Sequence, residues 1–293
     1  MPLGRFKERK ERVVRQLLVG LLLGTLIATT ACGGGSTTHS SSSGVLSGNW
    51  QIVLSRHAVP TQPLTYTGFL TQSGDSVSGN LILGSGFLGY GCSGVGPVTG
   101  TVDGQNISLI INEFGEDVNL AGTIPASNAA PMNGEFSWLP GGCNAFPGTG
   151  TFTAFQVTPI NGSFHGTFTS TLPPPNNGTL NVVGTLTQGP NTGGSTANLT
   201  GSISVIGTPH FCSYLSTATI TGLISGTSVS LNLFDPDGSL VTQIGQIGQI
   251  GNPQVASEVT VTANATALSG PYTFPAISTS CNQDQGTFQV TFP

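Results

Sequence analysis

The residues of this chain best able to do chemistry are five cysteines, four histidines and a handful of carboxylates. Their spacing limits what that chemistry is. There is no C-x-x-C, no H-E-x-x-H, no G-x-S-x-G and no Walker lysine. His39, His57, His165 and His210 are scattered singly, and the carboxylates sit mostly beside turn residues rather than as a pair flanking a cleft. No enzyme, cofactor or metal site is expected from these patterns. The cysteines, at 32, 92, 143, 212 and 281, are odd in number, which in an exported protein leaves one thiol to account for.

The segment around the first cysteine accounts for it. Arg5, Lys7, Arg9, Lys10, Arg12 and Arg15 precede a 14-residue apolar run, Leu17 to Thr30, too short for the roughly 20 residues that cross a bilayer. A basic arm, a short apolar core and small residues before a cut site mark a secretory signal peptide. Thr29-Thr30-Ala31-Cys32 resembles the bacterial lipobox, with Thr29 where that motif usually has Leu. The resemblance implies cleavage after residue 31 and lipidation of Cys32. Gly33 rather than Asp after the cysteine implies an outer-membrane destination. Residues 32–44, GGGSTTHSSSSG after the cysteine, read as a flexible tether spanning about 19 Å.

Charge separates sharply at the same point. Glu8, Glu11 and six of the seven basic residues precede Cys32, leaving ten acidic residues against Arg56 and a net charge near −9. Such a chain lacks the cations that neutralise phosphates, so nucleic acid is excluded as a partner. Docking directly on anionic head groups is excluded likewise, which leaves the lipid as the membrane attachment.

The remainder repeats itself once. Gly68-Phe-Leu-Thr-Gln-Ser matches Gly184-Thr-Leu-Thr-Gln-Gly, and Gly100 to Leu109 matches Gly222 to Leu231. Gly150-Thr-Phe matches Gly286-Thr-Phe. The copies are expected at 45–157 and 160–293. Period-two alternation between Gly, Pro, Asn and Asp turns predicts eight strands in copy one: 47–54, 64–72, 76–83, 96–102, 106–112, 117–124, 131–138 and 149–157. The predicted fold class is all-β, with two tandem eight-stranded antiparallel up-and-down barrels, or alternatively two sandwiches. The strand pattern and Gly48-Asn49-Trp50 resemble the lipocalin and avidin superfamily, whose G-x-W stands on the first strand. Gly162-Ser-Phe164 or Gly166-Thr-Phe168 offers the counterpart in copy two. No binding residue carries over from that resemblance.

Up-and-down strands place alternate links at one barrel end. The tight links, Ser73-Gly-Asp75 and Asp103-Gly104, share one end, the latter expected as a type I′ hairpin. The longer links 55–63, 84–95, 113–116 and 139–148 share the other. Cys92 and Cys143 fall there, as do Cys212 and Cys281 in copy two. Of the three connectivities, disulfides within each copy are preferred. The same mouth gathers Arg56, His57, Glu113, Glu116 and Asp117 from copy one and His210, Asp235 and Asp237 from copy two. Asp235-Pro-Asp-Gly238 is first of all a turn. Trp50, Phe136 and Trp138 are either core or the lining of a pocket. The run 243–251 is a low-complexity insertion, read as a loop or an extra edge hairpin.

Two functions are compatible with these features. One is a membrane-anchored cell-envelope lipoprotein that binds a small apolar or amphipathic ligand at the barrel mouth. The other is a structural or adhesive surface lipoprotein with filled barrels, whose partner is an envelope protein. The interior discriminates between them: a carrier needs a void of about 300 Å³ or more.

Overall fold

The computed structural model describes residues 45–58, 60, 63–83, 94–113, 116–126, 130–138, 148–173, 178–207, 217–247, 259–274 and 283–293. Among the described residues the protein is all-β. Eight strands close the first barrel: β1 (Gly48–Arg56), β2 (Leu64–Ser73), β3 (Ser76–Leu83), β4 (Val95–Asp103), β5 (Asn106–Glu113), β6 (Glu116–Thr123), β7 (Met132–Trp138) and β8 (Gly148–Val157). Each pairs antiparallel with the next, and β8 returns to β1 with Arg56 opposite Gly150. Closure leaves no free edge. Alternation sets the interior: on β1, Trp50, Ile52 and Leu54 are buried in the barrel core.

The second barrel uses β9 (Asn161–Ser170), β10 (Thr179–Asn191), β11 (Ala197–Ile206), β12 (Thr217–Ser225), β13 (Ser228–Phe234), β14 (Leu240–Ile244), β15 (Val259–Val261), β16 (Ala267–Phe274) and β17 (Asp284–Thr291). Nine strands make eight staves. β14 and β15 lie along the same edge of β13, Ile244 opposite Leu231 and Val259 opposite Val229. Together they form the sixth stave, and the low-complexity run 243–251 begins within β14 and continues outside the described residues. Only β15 continues the ladder to β16, through Thr260 opposite Ser269. β14 is tied to β16 by the Thr242 hydroxyl, which donates to Thr273 O at 2.6 Å. Pro271, on the stretch of β16 beyond that short ladder, has no N–H to leave unpaired there.

Glycine explains why the repeat reads as it does. A Cβ on Gly79 would lie 2.1 Å from Phe69 O, and one on its counterpart Gly201 would lie 2.0 Å from Thr185 O. Strands coil tightly enough for a small barrel only if such inward positions carry no side chain. The register also settles the G-x-W counterpart. Trp50 faces Gly68 as Phe164 faces Gly184, so Gly162-Ser-Phe164 is the copy-two version.

The tight hairpins differ from expectation in their turn. Asp103 pairs with Asn106, so the loop is Gly104-Gln105, and only Gly104 has a positive φ, at 62°. A type I′ turn needs positive φ at both central residues, whereas glycine at the first alone fits type II′. Gly74-Asp75 and Gly226-Thr227 follow the same pattern, with φ of 61° and 55° at the glycines.

The barrels are joined by three residues that are themselves held in place. Thr158 N donates to Ala263 O at 2.8 Å, Gln188 N donates to Ile160 O at 2.8 Å, and Ile160 is fully buried. A tight turn of barrel two then rests on the outer wall of barrel one. Asn49 points outward from β1 yet is only 2% exposed, because Gly226 covers it. Ser225 Oγ lies 2.9 Å from both Thr67 Oγ1 and Ser195 O. Thr227 Oγ1 donates to Gln51 Oε1, and Asn80 Nδ2 donates to Gly193 O at 2.7 Å. Phe69, outward on β2, belongs to the apolar core cluster of barrel two.

Candidate functional site

The mouth of barrel one is defined by the ends of β1, β3, β5 and β7. Arg56 closes β1 in the inward phase and is half-buried. His57 follows it, exposed, with its backbone N–H donating to Thr149 O at 3.0 Å. Asp117 faces outward beside its cross-strand partner and accepts a hydrogen bond from Asn112 Nδ2 at 2.9 Å. Glu113 ends β5 and Glu116 begins β6; their side chains lie outside the described residues, as do His210 and all five cysteines. The sequence-predicted cluster therefore shares one barrel end, but Arg56 turns into the barrel while Asp117 turns away from it.

The three aromatic candidates belong to the core of barrel one. Trp50, Phe136 and Trp138 are 6%, 3% and 3% exposed. Trp50 stands at the tight end, where its indole N–H donates to Leu46 O at 2.8 Å. Phe136 lies over Gly150, whose Cβ would be 2.7 Å from the ring. Trp138 closes β7 at the opposite end, so the three do not face one another around a single pocket.

In barrel two, Asp235 and Asp237 form the turn that their spacing predicts. Gly238 N donates to Asp235 O at 3.0 Å, and the Ser239 N–H is shared by Asp235 Oδ1 and Asp237 Oδ1, each 2.9 Å away. Hydrogen bonding with Asp237 holds the Asp235 carboxyl above the ordinary carboxylate value, and the Ser239 contact holds Asp237 below it. Asp237 is exposed and Asp235 partly so. No grouping of three or more metal-ligating side chains occurs among the described residues.

A buried polar cluster at the mouth of barrel two escaped the sequence reading. Asp284 is fully buried. Tyr272 Oη donates to Asp284 Oδ2 at 2.6 Å, and Ser170 Oγ donates to Asp284 Oδ1 at 2.5 Å. The Ser170 hydroxyl also accepts from Leu172 N at 3.1 Å. One carboxyl group thus joins β9, β16 and β17 across the seam where the first and last staves meet. Burial first, and Asp284 second, push the Tyr272 phenol well above its ordinary value. Below it the aromatic rings close ranks: Phe168 lies 5.0 Å from Tyr272, edge to face, and 5.4 Å from Phe288, stacked. The signal was available in the alternation, since Asp284, Gly286, Phe288 and Val290 share the inward phase of β17.

Two cavities bear on ligand binding. The void inside barrel two, bounded by residues including Phe164, Leu231, Ile244 and Leu268, amounts to about 20 Å³. That is room for about one water molecule, in walls that offer it no polar partner. A second cavity, a groove of about 450 Å³, lies on barrel one with His57, Asn119, Glu135, Ser137 and Thr149 among its lining residues. Asn119 pairs across the strands with Ser137, and Ser137 with Thr149, so the groove follows one register row of the outer wall.

No family model matches the chain, and no curated protein matches it either. A solved structure, of a candidate AttH protein from Nitrosomonas europaea, aligns over 92% of this chain and 99% of its own. The identity is 12% and the TM-score 0.20, a superposition too loose to place residues of one chain on residues of the other.

Proposed function

We propose that this protein is a non-enzymatic cell-envelope lipoprotein, held to the outer membrane by lipid on Cys32, in which two filled barrels act as a structural or adhesive scaffold. The observation that carries the scaffold over the carrier is the interior of barrel two. A void of about 20 Å³ is far below the roughly 300 Å³ at which small-molecule pockets begin. The closed barrels, the short held connector and the outer-wall contacts favour a rigid body that presents its loop-bearing ends to an envelope partner. The leader and Thr29-Thr30-Ala31-Cys32 support the anchor, and Gly48-Asn49-Trp50 supports a distant likeness to the lipocalin and avidin barrels. With lipid on Cys32, Cys92 pairs with Cys143 and Cys212 with Cys281.

Purification from native membranes followed by denaturation and mass spectrometry tests the whole reading. The expected result is a lipidated Cys32, two disulfides within the repeats, and no small molecule released. A stoichiometric amphiphile in the released fraction would return the carrier to first place, and an unmodified Cys32 would remove the anchor.

A further inference from the structure

The outer walls of the two barrels carry matching registers, and at one place their side chains are used differently. On barrel one, Asn119, Ser137 and Thr149 stand abreast on β6, β7 and β8, and Ser108, Ala121 and Glu135 stand abreast on β5, β6 and β7. The groove of about 450 Å³ lies over these two rows, with His57 beside them, and every residue that lines it is described. On barrel two the register puts Ser230 in the place of Ser108, Gln243 in that of Asn119 and Pro271 in that of Glu135. There the row closes on itself, Gln243 Nε2 donating to Ser230 Oγ at 3.4 Å. Next to the groove the wall of barrel one does the same: Asn112 donates to Asp117, and Thr153 to Asn133. Within the groove, among the described residues, the side chains of His57, Ser108, Asn119, Glu135, Ser137 and Thr149 have no hydrogen-bond partner in the protein.

We propose that this groove on the outer wall of barrel one binds a neutral saccharide. Its volume of about 450 Å³ lies within the range of small-molecule sites, roughly 300–1,000 Å³. Ser108, Ser137 and Thr149 offer hydroxyls that both donate and accept, and the Asn119 amide does both through separate atoms. A sugar hydroxyl has the same double capacity, so each can be matched in either direction. The Glu135 carboxylate accepts from two neighbouring hydroxyls at once, which makes the stronger, charge-assisted kind of bond. Ala121 stands between Ser108 and Glu135, and its methyl group leaves depth where a longer side chain would close the groove. An anion is repelled by the acidic chain, and an ammonium group has no use for the Asn119 donors. The inference rests on the adhesive form of the filled-barrel reading and deepens it, giving the ligand a place on the wall and not inside.

The methyl glycosides of glucose, galactose and N-acetylglucosamine are the probes, with propylammonium chloride as the cationic control. Each is titrated into the full chain, kept in a detergent without a sugar head group, and the backbone amide resonances of Asn119, Glu135 and Ser137 are followed by NMR. The expected outcome is a saturable shift of these resonances with at least one glycoside and none with propylammonium. Ala121→Phe fills the groove from an exposed position and is expected to weaken that response at least about tenfold. Unchanged amide resonances of barrel two in the variant confirm that it folds. Glu135→Gln, which alters no packing, is expected to weaken the response as well. Silence with all three glycosides, a response to propylammonium alone, or undiminished binding in both variants would overturn the proposal. A released amphiphile in the preceding experiment removes the filled-barrel reading alone, whereas silence with the glycosides removes this site alone.

Discussion

Asn49 and Gly226 hydrogen bond in both directions: Asn49 Nδ2 donates to Gly226 O at 2.8 Å, and Asn49 Oδ1 accepts from Gly226 N at 2.7 Å. The side-chain amide stands in for a strand's backbone, so a turn of one barrel is paired to the wall of the other as though the sheet continued. Asn49→Ala leaves the N–H and C=O of Gly226 buried without partners, at a cost of about 2–3 kcal/mol. In urea the variant is expected to melt in two steps, barrel by barrel, where the parent melts in one. Tryptophan emission follows barrel one, which holds both Trp50 and Trp138, and circular dichroism follows the sum.

Phe69→Ala addresses the apolar half of the same contact. Phe69 is 7% exposed and packs in the core cluster of the neighbouring barrel. Removing a buried phenyl ring costs about 3–5 kcal/mol, and here the loss is expected on barrel two, although the residue belongs to barrel one. Amide exchange should quicken around Val157 and Ile160, its companions in that cluster, before it quickens in β3.

Gly286→Ala and Gly148→Ala separate two kinds of glycine on matching strands. A Cβ on Gly286 would lie 2.0 Å from Thr169 O, an overlap with backbone that no rotamer relieves. Loss of at least about 3 kcal/mol, or failure to fold, is expected there. At Gly148 the nearest contact among the described residues would be 3.9 Å, and a change within about 0.5 kcal/mol is expected by thermal denaturation.

Tyr272→Phe removes one of the two hydroxyls that donate to Asp284. The buried oxygen left behind costs about 1–3 kcal/mol, read as a lower urea midpoint with an unchanged slope. Tyr272→Phe with Asp284→Leu, which removes both polar partners, is expected to recover part of that loss.

The same phenol sets an alkaline limit. Its folded value lies above the ordinary tyrosine value of about 10 because burial, then Asp284, disfavours the phenolate. Above that pH the unfolded chain releases a proton that the folded chain keeps, so stability declines as pH rises. The contribution is intact below pH about 10 and fades above it. Absorbance at 295 nm should show phenol ionisation that comes only with unfolding, and Tyr272→Phe should lower its amplitude by one phenol.

Much of the barrel was legible because its physics is local. Inward Ile107, Leu109 and Ile111 on β5 reappear as Val229, Leu231 and Leu233 on β13, and inward glycines recur at matching places because coiled strands need them. What stayed hidden depends on partners far along the chain. Asn49 reads as an outward polar residue until Gly226, 177 positions away, covers it. The eight-stave count of barrel two followed from the repeat, but its sixth stave could not be placed from alternation, since five residues and then three, parted in sequence, show too little of it. The hairpin type was misread by placing Asp103 in the loop, whereas the register holds it in the ladder. Asp284 was readable from its phase, but a carboxyl group in an inward position is easily assigned to a rim.

The doubly paired β1 also has a mechanical meaning. Tension arriving from residues before Val45 reaches Leu46, fully buried, whose N–H is held by Gln72 Oε1 at 3.1 Å. Beyond it the load runs along β1, bonded to β2 from Gly48 to Leu54 and to β8 from Asn49 to Arg56. A pull along that axis shears two ladders together instead of unzipping either one. Asn49 and Gln51 on the same strand pass part of the strain sideways into barrel two through Gly226 and Thr227.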